Sequence, residues 1–530
     1  MSIRPVAILA TFAVAACIDA TPAHAQAFAL AKSSASGYTA AELAPKQPCL
    51  TLAAFRAKDL ASIEAREVAA TETAPAHCRV TGVLSPEIAF EVSLPARWNG
   101  RFYMIGNGGH AGESLDDPGR AAQRVQALQN GFAFGQTNTG HDARKEPGAS
   151  FVLSDPRKAQ DYAWRAVHLT AVTAKAITAE YFGRKVARAY WNSCSNGGRQ
   201  GLVEAQRFPA DFDGVVANAP WVSQTGFTIG AVWNQQAVSK APLTAAKLRL
   251  LAARVAARCD AVDGVTDGLI DDPRRCDFDA VRDVPACAAG SEGDDCLTPA
   301  QADAVMKVYR GPQAGGKTLF PGFMPGSEAV VAGPGGTANS AWWGLVVPTP
   351  ERAAADYGLA ANTLRFLAHV PPKPDYDPMT FDFTRDPPLL DAWAREVNAT
   401  STDLDRFRRR GGKLLMTYGW ADQVLQPLMG VQYFEQVNAR YGAKTPDFFR
   451  LFMVPGMTHC AGGVGPDQFD AVTAVIDWVE KGRPPASLVA AKLSGGKPVR
   501  TRPLCPYPQV AKYAGSGSID DAASFRCAMP

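Results

Sequence analysis

Ser195 stands in the run Asn192-Ser-Cys-Ser-Asn-Gly-Gly198, and Met457-Thr-His-Cys460 lies far downstream. A serine hydroxyl is a weak nucleophile until a base removes its proton, and histidine is well suited to that task. Each candidate has a cysteine as its immediate neighbour. If Ser195 and His459 come within hydrogen-bond reach, Cys194 and Cys460 are drawn toward the Cα separation of roughly 4.4–6.8 Å that a disulfide requires. One covalent bond would then pin nucleophile and base together.

The surroundings of Ser195 read as a strand, a tight turn and a helix. Ala187–Trp191 is apolar and β-like, and Gly198–Gln206 has helical character. A strained strand-to-helix turn of this kind takes the form Gly-x-Ser-x-Gly, since small residues are needed on either side of the serine. Ser193 and Gly197 supply small-x-Ser-x-Gly, with serine in the first glycine position. Further strands are expected at Phe102–Ile105, Val215–Asn218, Lys413–Thr417 and Phe448–Val454, and helices at Tyr162–Phe182 and Phe469–Lys481. This alternation predicts an α/β fold with a doubly wound, mostly parallel sheet. Asp422 and His459 then follow the C-terminal ends of two strands, where open α/β sheets gather their sites. The order Ser195, Asp422, His459 is that of α/β-hydrolases and not of chymotrypsin-like or subtilisin-like proteases.

The other histidines suit the base role less well. His24 lies in the leader, His77 beside Cys78, His168 within a helix and His369 in an insertion, while His110 and His141 occupy glycine-containing loops with structural roles favoured. Asp422 alone is also compatible with a helix cap or a turn.

Arg4 followed by the apolar stretch Val6–Ala16 and the small-x-small site Ala23-His-Ala25 reads as an export signal covering residues 1–25. Val14-Ala-Ala-Cys17 also resembles a lipobox, which would make Cys17 a lipid anchor. Secretion or periplasmic export is therefore expected. No later run is long enough to span a bilayer as a helix. Setting Cys17 aside leaves ten cysteines, an even number that reads as five disulfides in an exported chain. Short separations suggest Cys49 with Cys78, Cys259 with Cys276, Cys287 with Cys296 and Cys505 with Cys527, leaving Cys194 for Cys460.

The 530 residues exceed one ordinary domain, and a net charge of +3 argues neither for nucleic acid nor for an acidic polymer as partner, so no nucleic-acid partner is expected. Residues 45–225 and 396–530 read as two parts of one catalytic core. Between them, 226–395 loses the strand-helix rhythm and is rich in Gly, Pro and Trp, including Gly333-Pro-Gly-Gly-Thr337. A stretch this long is expected to be an inserted lid.

Cys194-Ser195, Asp422 and His459-Cys460 together resemble the signature of the tannase and feruloyl esterase family, which includes mono(2-hydroxyethyl) terephthalate hydrolases. Trp98-Asn-Gly-Arg-Phe102, Gly106-Asn-Gly-Gly109 and Asn138-Thr-Gly-His-Asp142 look like family stretches as well. The resemblance runs from about Cys49 to Cys527. It implies an α/β-hydrolase that cleaves small-molecule esters of aromatic acids through an acyl-serine, with the Asn196 and Gly108 backbone N–H groups as oxyanion donors. No organic cofactor is called for.

The family pattern also implies a structural calcium in the lid, held by Asp260, Asp263 and Asp267 with the Val265 and Leu269 carbonyls. Taken alone, Cys259-Asp-Ala-Val-Asp-Gly-Val-Thr-Asp-Gly-Leu269 would read as a solvated acidic turn. Calcium takes six to eight oxygens, so roughly three carboxylates need carbonyl help. Trp342, Trp343, Leu364 and Phe366 are candidates to face an aromatic acyl group, and Arg365 to meet a carboxylate, with packing inside the lid as the alternative. Other readings of the scaffold are an inactive calcium-stabilised binding protein, a peptidase or an acyltransferase.

Overall fold

The computed structural model describes residues 27–332 and 338–530. The expected export signal at 1–25, with Cys17, and Gly333–Thr337 lie outside the described residues. Nine strands form one sheet: β1 Leu60–Val68, β2 His77–Leu84, β3 Ile88–Pro95, β4 Arg101–Met104, β5 Ala133–Thr137, β6 Arg188–Cys194, β7 Gly214–Asn218, β8 Lys413–Gly419 and β9 Phe449–Val454. Their spatial order is β1-β2-β3-β5-β4-β6-β7-β8-β9. The pairs from β1 to β5 are antiparallel, and every pair from β5 through β4 to β9 is parallel. The expected mostly parallel α/β sheet is present, with an antiparallel wing at its N-terminal edge.

The central strands are covered on both faces, which explains why they read as unbroken apolar runs. Ala189 and Trp191 of β6, Val215 and Ala217 of β7, and Leu414 and Met416 of β8 enter one apolar layer. Tyr190, Val216 and Leu415 enter the other, as the two-residue period of a strand requires. Six helices matter to the site: α1 Ala166–Phe182, α2 Asn196–Arg207, α3 Gln224–Lys240, α4 Ala245–Cys259, α5 Ala355–Asn362 and α6 Ala471–Lys481. Ala166 and Val167 of α1 and Leu202 and Val203 of α2 join the first layer. Val472, Val475 and Ile476 of α6 join the second. A π-turn over Asp161–Arg165 precedes α1, so the helix expected from Tyr162 begins in a wider coil.

The long connection between β7 and β8 carries its own apolar cluster. Leu248, Leu251 and Val255 of α4 pack there with Phe278, Val305, Phe323 and Trp342. All five expected disulfides form: Cys49–Cys78, Cys194–Cys460, Cys259–Cys276, Cys287–Cys296 and Cys505–Cys527. No helix among the described residues is long and apolar enough to cross a membrane.

Candidate active site

Ser195 closes β6 and caps α2 with φ 63° and ψ −126°. A positive φ on a residue bearing a Cβ is strained and persists only where the surroundings enforce it. Here the surroundings are tight. A Cβ on Gly198 would stand 2.7 Å from the Asn218 carbonyl oxygen and 2.8 Å from Pro220 Cα. One on Gly197 would overlap the Ser193 hydroxyl, so Ser193 uses the space that Gly197 leaves open. That is how the turn accepts serine in the first glycine position. The Ser195 N–H donates to Asn218 O at 3.0 Å, and Trp221 N–H donates to Ser195 O at 3.0 Å. Asn196 is the first residue of α2, where a backbone N–H has no partner within the helix.

Asp422 follows β8 and is fully buried. One carboxylate oxygen accepts from Val424 N–H at 2.9 Å and Leu425 N–H at 2.8 Å. The other lies 2.8 Å from His459 Nδ1. The carboxylate is thus aimed by its own turn before it meets the imidazole, and engagement of Nδ1 leaves Nε2 for a second partner. The His459 main-chain N–H donates to Gln423 Oε1 at 3.1 Å. Cys194 and Cys460 are bonded at a Cα separation of 5.8 Å. The strand end bearing Ser195 and the loop bearing His459 are therefore one covalent unit. His459 and these two sulfurs lie within 4.8 Å of one another, but disulfide sulfurs are not thiolates and do not make a zinc site.

Gly108 occupies the glycine turn after β4, where an oxyanion donor is expected, but its N–H is already engaged. It donates to Glu113 Oε1 at 2.5 Å, while Glu113 Oε2 accepts from Asn107 Nδ2 at 2.7 Å. Gly108 can serve an oxyanion only after Glu113 withdraws. Glu113 was not among the residues singled out above, because its role depends on a side-chain direction.

The rival histidines occupy structural positions. His110 is buried with Nε2 3.2 Å from Thr363 Oγ1, and burial pushes it down to about 3. His141 lies against the Phe151 ring at 4.3 Å between centroids, and burial pushes it down to about 4. Neither is poised as a base near neutrality. His168 pairs with Asp211 at 2.6 Å.

Of the side chains expected to face the acyl group, the two tryptophans pack inside the insertion. Trp342 is fully buried in the insertion's own core and donates Nε1–H to Ser327 Oγ at 3.0 Å. Trp343 packs against the same cluster. Leu364 belongs to the main core and Phe366 packs against a cluster around Phe151 and Tyr162. Arg365 gives its Nε–H to Tyr376 O at 3.0 Å. What reaches the glycine turn is α5 and the residue that follows it: Leu359 lies 3.8 Å from the position of a Gly109 Cβ, and Thr363 meets His110. A separate cavity of about 270 Å3 lies beside Trp420 and Ala421, walled also by Val255, Asp260, Gly268 and Glu328, without Ser195 or His459.

In the acidic turn, Asp260 accepts from the Asp267 and Gly268 N–H groups at 3.0 and 2.9 Å. Asp263 accepts from Val265 N–H at 2.9 Å and Asp267 from Leu269 N–H at 3.0 Å. The second Asp267 oxygen pairs with Arg502. Asp271 joins them: burial, then the Asp263 charge, push it up to about 7. Burial likewise raises Asp263 to about 6, with Asp267 and Asp260 adding to the effect. Arg500 gives Nη1–H to the Asp267 carbonyl at 2.9 Å, so four carboxylates meet two arginines, and the excess of hard oxygen donors suits a hard cation in chemistry. The three carboxylates of 260, 263 and 267 are not gathered within 4.8 Å of one another among the described residues, so an ion would have to draw them together.

A strand-turn-helix serine, followed in order by an acid and a histidine at later strand ends, defines an α/β-hydrolase. The chain belongs to the tannase and feruloyl esterase family, whose profile matches residues 72–528. It is 35% identical over 531 residues to a mono(2-hydroxyethyl) terephthalate hydrolase of Piscinibacter sakaiensis, covering 86% of this chain and 85% of that one. It is 34% identical over 550 residues to an uncharacterised esterase of Xanthomonas campestris, covering 94% and 92%. The crystal structure of feruloyl esterase B from Aspergillus oryzae superposes with a TM-score of 0.78 at 27% identity, over 91% of this chain and 99% of that one. The chain is a carboxylic ester hydrolase, and the reading of an inactive binding scaffold gives way.

Proposed function

We propose that this protein is an exported serine esterase that cleaves esters of aromatic acids of the feruloyl, galloyl or terephthaloyl type. The observation that carries the mechanism is the Asp422–His459 hydrogen bond at 2.8 Å, tied to the Ser195 turn by the Cys194–Cys460 bond. His459, oriented by Asp422, takes the Ser195 proton as the serine oxygen attacks the ester carbonyl. The oxyanion of the tetrahedral intermediate is held by the Asn196 N–H, joined by Gly108 once Glu113 moves. His459 returns the proton to the departing alcohol, leaving an acyl-Ser195. Water, deprotonated by His459, then releases the acid.

The aromatic preference is supported by the relatives' named activities, not by the lid tryptophans, which are committed to packing. Export is supported by the five disulfides, which persist in oxidising compartments. Calcium, if bound, sits at Asp260, Asp263 and Asp267 with the Val265 and Leu269 carbonyls, Asp271 standing behind them, and supplies no chemistry at Ser195. Its contribution is to neutralise the acidic turn. Residues 226–395 act in this reading as the lid.

The test is a hydrolysis panel of ferulate, gallate and terephthalate monoesters and a hexanoate ester, run with the wild type and Ser195→Ala. Turnover of aromatic esters that disappears in folded Ser195→Ala supports the reading. Equal kcat/KM for aromatic and aliphatic esters removes the acyl assignment, and activity in Ser195→Ala removes the mechanism.

A further inference from the structure

Arg199 lies one turn into α2, and its main-chain N–H donates to Ser195 O at 3.0 Å. Its guanidinium is wholly buried, and every partner it has is neutral. Nε–H donates to Asn196 Oδ1 at 2.7 Å, Nη1 to the Ala163 and Val397 carbonyls at 2.7 and 3.0 Å, and Nη2 to the Tyr162 carbonyl at 3.3 Å. The Tyr162 ring lies 5.3 Å away. Other buried arginines differ. Arg79 meets Glu91 at 2.7 Å, Arg120 stands 3.9 Å from Glu113, and Arg502 pairs with Asp267. Among the described residues no carboxylate comes within ion-pair distance of Arg199. Burial lowers its pKa to about 10, which leaves it charged at neutral pH.

This placement is unfavourable twice in the free enzyme. An unpaired buried charge loses its hydration without a counterion. A cation in the first turn of a helix also opposes the positive end of the helix dipole. Both penalties reverse when negative charge develops beside Asn196, because the dipole and the guanidinium then act on it together in a water-poor site. The surrounding bonds keep the arrangement stiff. Tyr162 donates its hydroxyl to Gly109 O at 2.9 Å and accepts from Gln224 at 3.0 Å, so the glycine turn and the Asn196 side chain share one buried network.

Building on the acyl-serine reading, we propose that Arg199 is a positioning residue whose unpaired buried charge is matched by the oxyanion of the tetrahedral intermediate. It fixes Asn196 through its Nε bond and biases the local field without touching substrate. A purely structural clamp, holding Tyr162, Ala163 and Val397 by their carbonyls, is the competing account.

The experiment compares wild type, Arg199→Lys and Arg199→Gln by kcat and KM on an aromatic ester and by the inhibition constant of an arylboronic acid, which forms a tetrahedral anion on the serine. The expected result for Arg199→Gln is a fall in kcat of about 10- to 100-fold with KM held within about threefold, and a matching loss of boronate affinity. Arg199→Lys, which keeps the charge but not the fork of hydrogen bonds, retains most of both. The proposal is overturned if folded Arg199→Gln binds the boronate as tightly as wild type, or if Arg199→Lys loses as much kcat and boronate affinity as Arg199→Gln. If Arg199→Gln does not fold, Arg199→Lys decides alone: retained boronate affinity supports the charge, and lost affinity overturns it. If the boronate binds wild type and Ser195→Ala equally, the acyl-serine reading itself has failed and the inference falls with it.

Discussion

The Gly108 amide proton is held by the Glu113 carboxylate at 2.5 Å. A carboxylate oxygen on that N–H stands where the carbonyl oxygen of a reacting ester would be received if Gly108 is an oxyanion donor. Substrate must then displace it. Glu113→Ala is expected to raise kcat/KM for a small aromatic ester by about tenfold, the lower end of the scale of one hydrogen bond to a charged group. Steady-state kinetics on the folded variant check this. A fall in kcat would show instead that Glu113 supports the glycine turn through Asn107.

The Cys194–Cys460 bond spans 266 residues of sequence, and in the chain-entropy account a loop of that length contributes about 5 kcal/mol before native-state strain. Four other disulfides and two apolar layers remain when it is removed. Replacing both cysteines by serine is therefore expected to lower kcat more than the folded fraction, because the bond sets Ser195 against His459. The measurements are kcat per folded molecule and the melting temperature. Unchanged kcat in the folded population would reduce the bond to a staple.

Calcium is expected to raise the melting temperature of chelator-stripped enzyme, and Asp263→Ala to abolish that response. The reason is electrostatic: Asp263 and Asp271 are pushed up to about 6 and 7 by burial and by neighbouring carboxylates, and a divalent cation relieves the crowding. Asp263→Ala should leave kcat near wild type, since the main-chain N–H bonds accepted by the turn's carboxylates stay within it and do not reach Ser195, Asp422 or His459. Identical melting curves with calcium and with chelator would remove the ion from the account.

Much of this was readable in sequence wherever the signal is local or counted. The Ser195 turn, the strand ends bearing Asp422 and His459, and the cysteine pairs all follow from spacing. The sheet's central strands were legible because burial on both faces leaves only apolar residues. Side-chain direction was not legible. A tryptophan in an inserted segment reads the same whether it faces a substrate or, as Trp342 does, the insertion's own interior. Glu113, Arg199 and Asp271 went unnoticed for the same reason: what sets each apart is a partner, or the lack of one, brought by residues remote in sequence or by a turn's exact path.

Asp356, in α5 over the glycine turn, supplies a pH-dependent term. One carboxylate oxygen accepts from Tyr357 N–H at 2.6 Å, and burial pushes the Asp356 pKa up to about 8 against the lowering effect of its bonds to the Tyr357 N–H and the Asn234 side chain. An unfolded aspartate titrates near about 3.9. Between those values the folded chain holds a proton that the unfolded chain has lost, so stability falls as pH rises, and the loss is complete above the folded value. Asp356→Asn keeps the shape and removes the charge. The melting temperature of wild type is expected to fall between about pH 6 and about pH 9 by more than that of the variant, with the variant the more stable at the alkaline end. Parallel melting-temperature profiles would show that the Asp356 carboxylate finds water or a partner once ionised, and that α5 does not carry this penalty.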